Sequence, residues 1–404
     1  MNDSASLPQT TDEPEVGRGS MLFLRSALVL ASLIVLGFLV FTVVSLLDRG
    51  ETQPGTTSSS ELQAELDVFV DEAVAFIEAV RGRSFLERPT VELVDGEEMT
   101  TIVLDDLAFD QAEDPEQAAA SLAFARAIGF FGPSDEFLDV YDVFVSGGVL
   151  GVYFPRTDQL LVRSSDELTL MTKATVVHEL VHAFDDQHFD LSRDELAEDG
   201  DVGWAFAAAA EGSASYVENL WREELSESEQ VALTAEELSF DAGDLFSLDF
   251  GFLVYQASVY EAGERWLERR IQTEGVAAID DALLNGAPSS EVVLEPLDAE
   301  ALAPVIVDAP EVTGEVLWRG TGGQALVSAL TFMTDTSGDV ARGWGGDAMT
   351  VYRNLDGDEC LRWDLATDSR LDTVELLTGL RAWASAVGAE IVEVGDRVRV
   401  DRCA

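Results

Sequence analysis

Lysine, cysteine and histidine are nearly missing from this chain of 404 residues, and each shortage narrows what it can be. Lysine occurs once, at Lys173, and the 24 basic residues face 77 acidic ones, for a formal net charge of −53. Such a surface repels nucleic-acid phosphates and anionic lipid headgroups, which argues against partners of both kinds. It stays soluble at high ionic strength, where its self-repulsion is screened. Two cysteines, Cys360 and Cys403, allow one bridge at most. All three histidines fall within "HELVHAFDDQH", residues 178–188, so imidazole chemistry has nowhere else to occur.

Charge and proline are both absent from "SALVLASLIVLGFLVFTVVSLL", Ser26 to Leu47. As a helix this stretch would span roughly 33 Å, enough for the hydrocarbon core of a bilayer. It is too long for a signal-peptide core and no small-residue cleavage pattern follows, which predicts an uncleaved single-pass anchor. Arg18 and Arg25 precede it and Arg49 follows. That bias predicts a cytoplasmic N-terminus and a C-terminal part outside the cytoplasm, at the cell membrane. In an exported domain Cys360 and Cys403 read as one disulfide, stabilising by about 4 kcal/mol in the chain-entropy model.

The organisation along the chain follows. Residues 1–25 are a polar, disordered tail, 26–47 the transmembrane helix, and 48–60 a Gly/Ser/Thr/Pro linker. Residues 61–342 form the main domain and 343–404 a smaller α+β segment. Leu66, Phe69, Ala73, Phe76, Ile77 and Val80 recur at helical spacing, "TVELV" reads as a strand, and "PEQAAASLAFARAIGFFG" as a helix. "GGVLGVYFPRTDQLLVRSS" predicts a β-hairpin turning at "PRTD". Ser164 and Glu167 form an S-x-x-E box expected to start the next helix. A long helix "VGWAFAAAAEGSASYVENLWREEL" comes after it, with more helices to about residue 285. In the last segment "AMTVYRNL" and "CLRWDLAT" read as strands, "LDTVELLTGLRAWASAVG" as a helix and "AEIVEVGDRVRVDRC" as a hairpin. The fold class expected is α+β and mainly helical.

His178 and His182 stand one helical turn apart, so both imidazoles leave the same face and can reach one metal ion. Glu179 lies beside the first, placed to reach a metal-bound water as general base. This is the H-E-x-x-H arrangement of zinc peptidases, and the cofactor expected is Zn²⁺. A preceding hairpin fits, because zincin-type peptidases lay substrate along an edge strand beside this helix. A catalytic zinc takes three protein ligands. His188 sits where the metzincin pattern H-E-x-x-H-x-x-G-x-x-H has its last ligand, but Asp185 replaces the glycine of the turn. Glu211 is the other candidate, in "AAAAEGSAS", where small side chains and Gly212 are expected to let its helix approach the histidine helix closely.

"VVHELVHAFDDQHFDL" and "AAAAEGSASYVE" resemble a family of exported or membrane-anchored zincin-like proteins, largely uncharacterised. The resemblance extends through "GVAAIDDALLNGAPSSEVVLEP" and "GWGGDAMTVYR", roughly Glu61 to the C-terminus. It implies a zincin-like domain with a gluzincin-type site, in which Glu211 is the third ligand. Such proteins often carry His-Pro where this chain has Glu295-Pro296. The expected function is a zinc metallopeptidase acting on a peptide or protein, with His178, His182 and Glu211 as ligands and Glu179 as base. Tyr216 and Tyr255 are candidate donors to the oxyanion. The rivals are a non-catalytic, surface-anchored binding protein and a zinc hydrolase of non-peptide amides or esters.

Overall fold

The computed structural model describes residues 59–163, 167–193, 200–295, 304–335 and 338–403. The tail, the expected transmembrane helix and nearly all of the linker lie outside the described residues. Among the described residues, no helix is long and apolar enough to cross a membrane. The architecture is α+β and mainly helical.

Helix α1 (Ser59–Arg81) turns Leu66, Phe69, Ala73 and Ile77 inward, as its spacing predicts, with Val70 beside them and Phe76 and Val80 only partly buried. Strand β1 (Val91–Val94) and helices α2 (Gly96–Glu113), α3 (Pro115–Ile128) and α4 (Phe137–Gly148) lead to the hairpin β2 (Gly151–Phe154) and β3 (Gln159–Arg163). The hairpin turns at Pro155–Asp158 as expected, with β2 antiparallel to β3. Strand β1 joins it in parallel on the far side of β3, giving the order β1-β3-β2 and leaving β2 at the sheet edge.

The histidine helix, α5, runs Leu170–Phe189. It starts later than the S-x-x-E pattern predicts. Thr169 is the N-cap, its hydroxyl accepting from the Thr172 amide at 3.1 Å, while Ser164 lies outside the described residues. Helices α6 (Gly200–Glu224), α7 (Glu227–Ser239) and α8 (Phe250–Glu274) follow, then α9 (Ala277–Asn285) and α10 (Ser290–Leu294). Gly212 has a different job from the one expected. A Cβ there would run into the backbone of Gly263 on α8, and one at Gly263 would run into the Ala208 carbonyl. The glycines bring α6 against α8, while the neighbouring residue Glu211 faces α5.

The C-terminal sheet has the order β4-β5-β6-β8-β7, antiparallel throughout. Strand β4 (Glu315–Gly320) comes from before residue 343, so the sheet reaches back into the stretch assigned to the main domain. After α11 (Gly323–Thr331) and α12 (Asp339–Arg342) come β5 (Trp344–Arg353), β6 (Glu359–Thr367), α13 (Arg370–Val387), β7 (Glu390–Val394) and β8 (Arg397–Cys403). Cys360 and Cys403 are cross-strand partners and form the disulfide. Buried Asp347 accepts from the Gly322 and Gly323 amides and from the indoles of Trp344 and Trp363, pinning β5 and β6 to the start of α11.

Among the described residues the apolar core falls mainly into two large clusters. One packs α1, the small sheet and α5. The other joins α2–α4, α8 and the C-terminal sheet. Helix α6 belongs to both, giving Trp204–Ala210 to the second and Ala214 and Val217 to the first. Glu211 falls between those two sets, at the seam.

Candidate metal centre

Helical spacing puts His178 and His182 on one face of α5, and the seam brings Glu211 across to them. Glu211 Oε2 lies 3.1 Å from His178 Nε2 and 3.3 Å from His182 Nε2. The three ligand atoms lie within 4.8 Å of one another, and all three side chains are buried. His182 Nε2 and Glu211 Oε1 have no hydrogen-bond partner, although burying such atoms unpaired is costly. The approach of His182 to Glu211 is an ion-pair contact without hydrogen-bond geometry. Two imidazole nitrogens and a carboxylate oxygen are the donor set that zinc takes from a protein at a catalytic site. The residues fit the metal.

The site carries an electrostatic signature. Burial disfavours a charged His178, yet the carboxylates of Glu211 and Glu218 outweigh it and push the imidazole up to about 10. Burial likewise opposes charge on His182, and Glu211 again raises it. Burial of Glu211 works toward the neutral acid, but the facing histidines hold its carboxyl below the usual range. The facing carboxylates and imidazoles thus favour opposite charges on the two helices.

Glu179 is fully buried next to the first ligand. It fits because residue 151, on the edge strand, is glycine. A Cβ at Gly151 would stand 2.5 Å from Thr175 Cγ2, 2.8 Å from Glu179 Cγ and 3.0 Å from its Oε1. Sequence reasoning missed this neighbour, since nothing local marks which strand residue faces the base. It also missed Glu218, which accepts a 2.9 Å hydrogen bond from His178 Nδ1. Glu218 lies seven residues after Glu211, two turns along the same face, and that repeat was a readable signal.

The other nominated residues are elsewhere. α5 stays helical through Asp185, so His188, six residues beyond His182, is turned about 240° away from it. His188 Nε2 donates to the Ser84 carbonyl at 3.0 Å, and its ring packs 4.6 Å from Phe184. Asp185 is buried in an ion pair with Arg81 and accepts from Ser213 Oγ at 2.6 Å. The position that metzincins give to a turn is here a helix-to-helix tie. Tyr216 is partly buried beside Glu268 and Glu223, and Tyr255 packs 5.8 Å from Phe130 in the second core. The tyrosine ring set against the centre belongs to Tyr260, 5.9 Å from His178.

Residues 297–403 match a domain of unknown function, DUF8575. That stretch spans the C-terminal sheet and leaves His178, Glu179, His182 and Glu211 outside it. No curated protein and no solved structure matches the chain.

Proposed function

We propose that the chain is a zincin-like, zinc-dependent peptidase, anchored to the cell membrane by residues 26–47 with its catalytic domain outside the cytoplasm. The observation that carries this reading is the buried triad of His178, His182 and Glu211, in which His182 Nε2 and the second Glu211 oxygen make no hydrogen bond. Zinc held there would supply Lewis acidity and a water acidified to a pKa of about 7. The chain's own groups do the rest. Glu179, in the space that Gly151 leaves open, takes a proton from the attacking water and returns it to the leaving amine. Glu218 keeps the Nδ1 proton on His178, so that Nε2 is the free ligand nitrogen. Tyr260 takes over from Tyr216 and Tyr255 as candidate donor to the oxyanion, because its ring lies against the ligand. Beside this helix, the edge strand β2 offers a place for an extended peptide.

A base next to the ligands favours hydrolysis over a purely structural metal site, which needs none. The test is turnover of a broad peptide library by the parent, Glu179→Gln and Tyr260→Phe. Glu179→Gln should keep zinc and lose turnover by about 100-fold or more. Tyr260→Phe should keep zinc and lose less. A Glu179→Gln chain as fast as the parent would show that Glu179 is not the base.

A further inference from the structure

Helix α7 is thinly attached. Leu233 is its only buried residue, and Val231 and Leu238 are 71% and 45% exposed. Two of its polar ties lead toward α5 and to Arg222 of α6. Glu236 Oε2 accepts from the Met171 amide in the first turn of α5 at 2.8 Å. Glu237 Oε1 takes Arg222 Nη1 at 2.6 Å, and Arg222 grips Glu218 Oε1 with Nε at 2.7 Å and Nη2 at 2.6 Å. The other oxygen of Glu218 accepts from His178 Nδ1 at 2.9 Å.

We propose that Arg222 and Glu237 are positioning residues for His178, joined through Glu218 into a relay by which α7 sets how tightly the triad holds a divalent cation. The inference rests on the metal-centre reading above. With Nε2 of His178 turned to Glu211, its ring plane depends on what Nδ1 meets. Glu218 meets it with a carboxylate whose second oxygen is clamped by Arg222, so the acceptor cannot swing away. Arg222 has long, flexible side-chain torsions and is held in that clamp from the far side by Glu237. Glu218 is buried and Arg222 only about a quarter exposed, so removing Arg222 also costs some stability. Loss of an outer partner of a metal-bound histidine weakens metal binding by roughly 10–100-fold. The relay should therefore show in metal affinity over and above its effect on folding.

The test is a Zn²⁺ competition titration against a chromophoric chelator, on the purified full chain, with thermal midpoints of the metal-free proteins. Glu237→Ala and Arg222→Ala should each weaken zinc binding by about tenfold or more. Glu237→Gln, which keeps an oxygen to accept from Arg222 Nη1, should bind zinc more nearly as tightly as the parent. Two results would overturn the relay: Glu237→Ala binding zinc as tightly as the parent, or Glu237→Gln losing as much affinity as Glu237→Ala. A parent chain that binds no zinc would overturn the metal centre itself, and the relay with it.

Discussion

Glu211 Oε2 stands 3.1 Å from His178 Nε2, joining two helices at residues 33 positions apart in the chain. That contact lies between two apolar cores, where α6 leaves one and enters the other. A carboxylate buried there between two imidazoles makes a stable site only with a positive charge among them.

Gly151 supplies a direct test of how the base is placed. A methyl group at this position would press on Thr175 as well as on Glu179. Gly151→Ala should keep full zinc content and lose peptide turnover by roughly 100-fold, the cost of shifting a catalytic group by about an ångström. Equal loss of zinc and activity would mean that the strand supports the whole centre.

Asp185 separates the two metal-site patterns by stability. A metzincin-type turn would welcome glycine at this position. Here Asp185 lies within a helix and neutralises the fully buried Arg81, which also reaches Ser213 and Asp280. Asp185→Gly should destabilise the chain by roughly 3 kcal/mol, since it strips a partner from a buried charge. Urea unfolding midpoints measure this, and an unchanged midpoint would contradict the helix-tie role.

Glu291 on α10 predicts a pH dependence. Both of its carboxylate oxygens are buried without a hydrogen bond, and burial, with Asp368, Glu295 and Asp201 adding repulsion, pushes it up to about 8. The folded chain therefore holds a proton that the unfolded chain releases at ordinary carboxylate pH. The stability this contributes is complete below about pH 4.5 and is lost as pH rises through about 8, on the order of a few kcal/mol. Between pH 5 and pH 8 the thermal midpoint of the parent should fall more than that of Glu291→Gln. Parallel curves would refute the shift, because self-repulsion of the acidic surface acts on both proteins alike.

What the sequence made legible was mostly local. His178, Glu179 and His182 declare themselves by helical spacing, and the paired cysteines by their isolation in the last segment. Glu211 stood out because an acid among alanines is anomalous. The parallel pairing of β1 with β3, the β4 strand and the Gly151–Glu179 neighbourhood depend on contacts far apart in the chain, which no period reveals. Thr169 displaced Ser164 as the cap because both offer a hydroxyl before a helix, and a local pattern cannot say which turn comes first. Tyr216 and Tyr255 lie on α6 and α8, and their directions depend on how those helices cross at Gly212 and Gly263.

The most direct measurement is the zinc content of the purified chain by metal mass spectrometry, alongside Glu211→Ala and His188→Ala. The parent should carry one zinc per chain. Glu211→Ala should lose it, and His188→Ala should keep it, because His188 is tied to the Ser84 carbonyl on another side of the helix. A parent without zinc, or a chain that keeps zinc without Glu211 and loses it without His188, would contradict the centre described here.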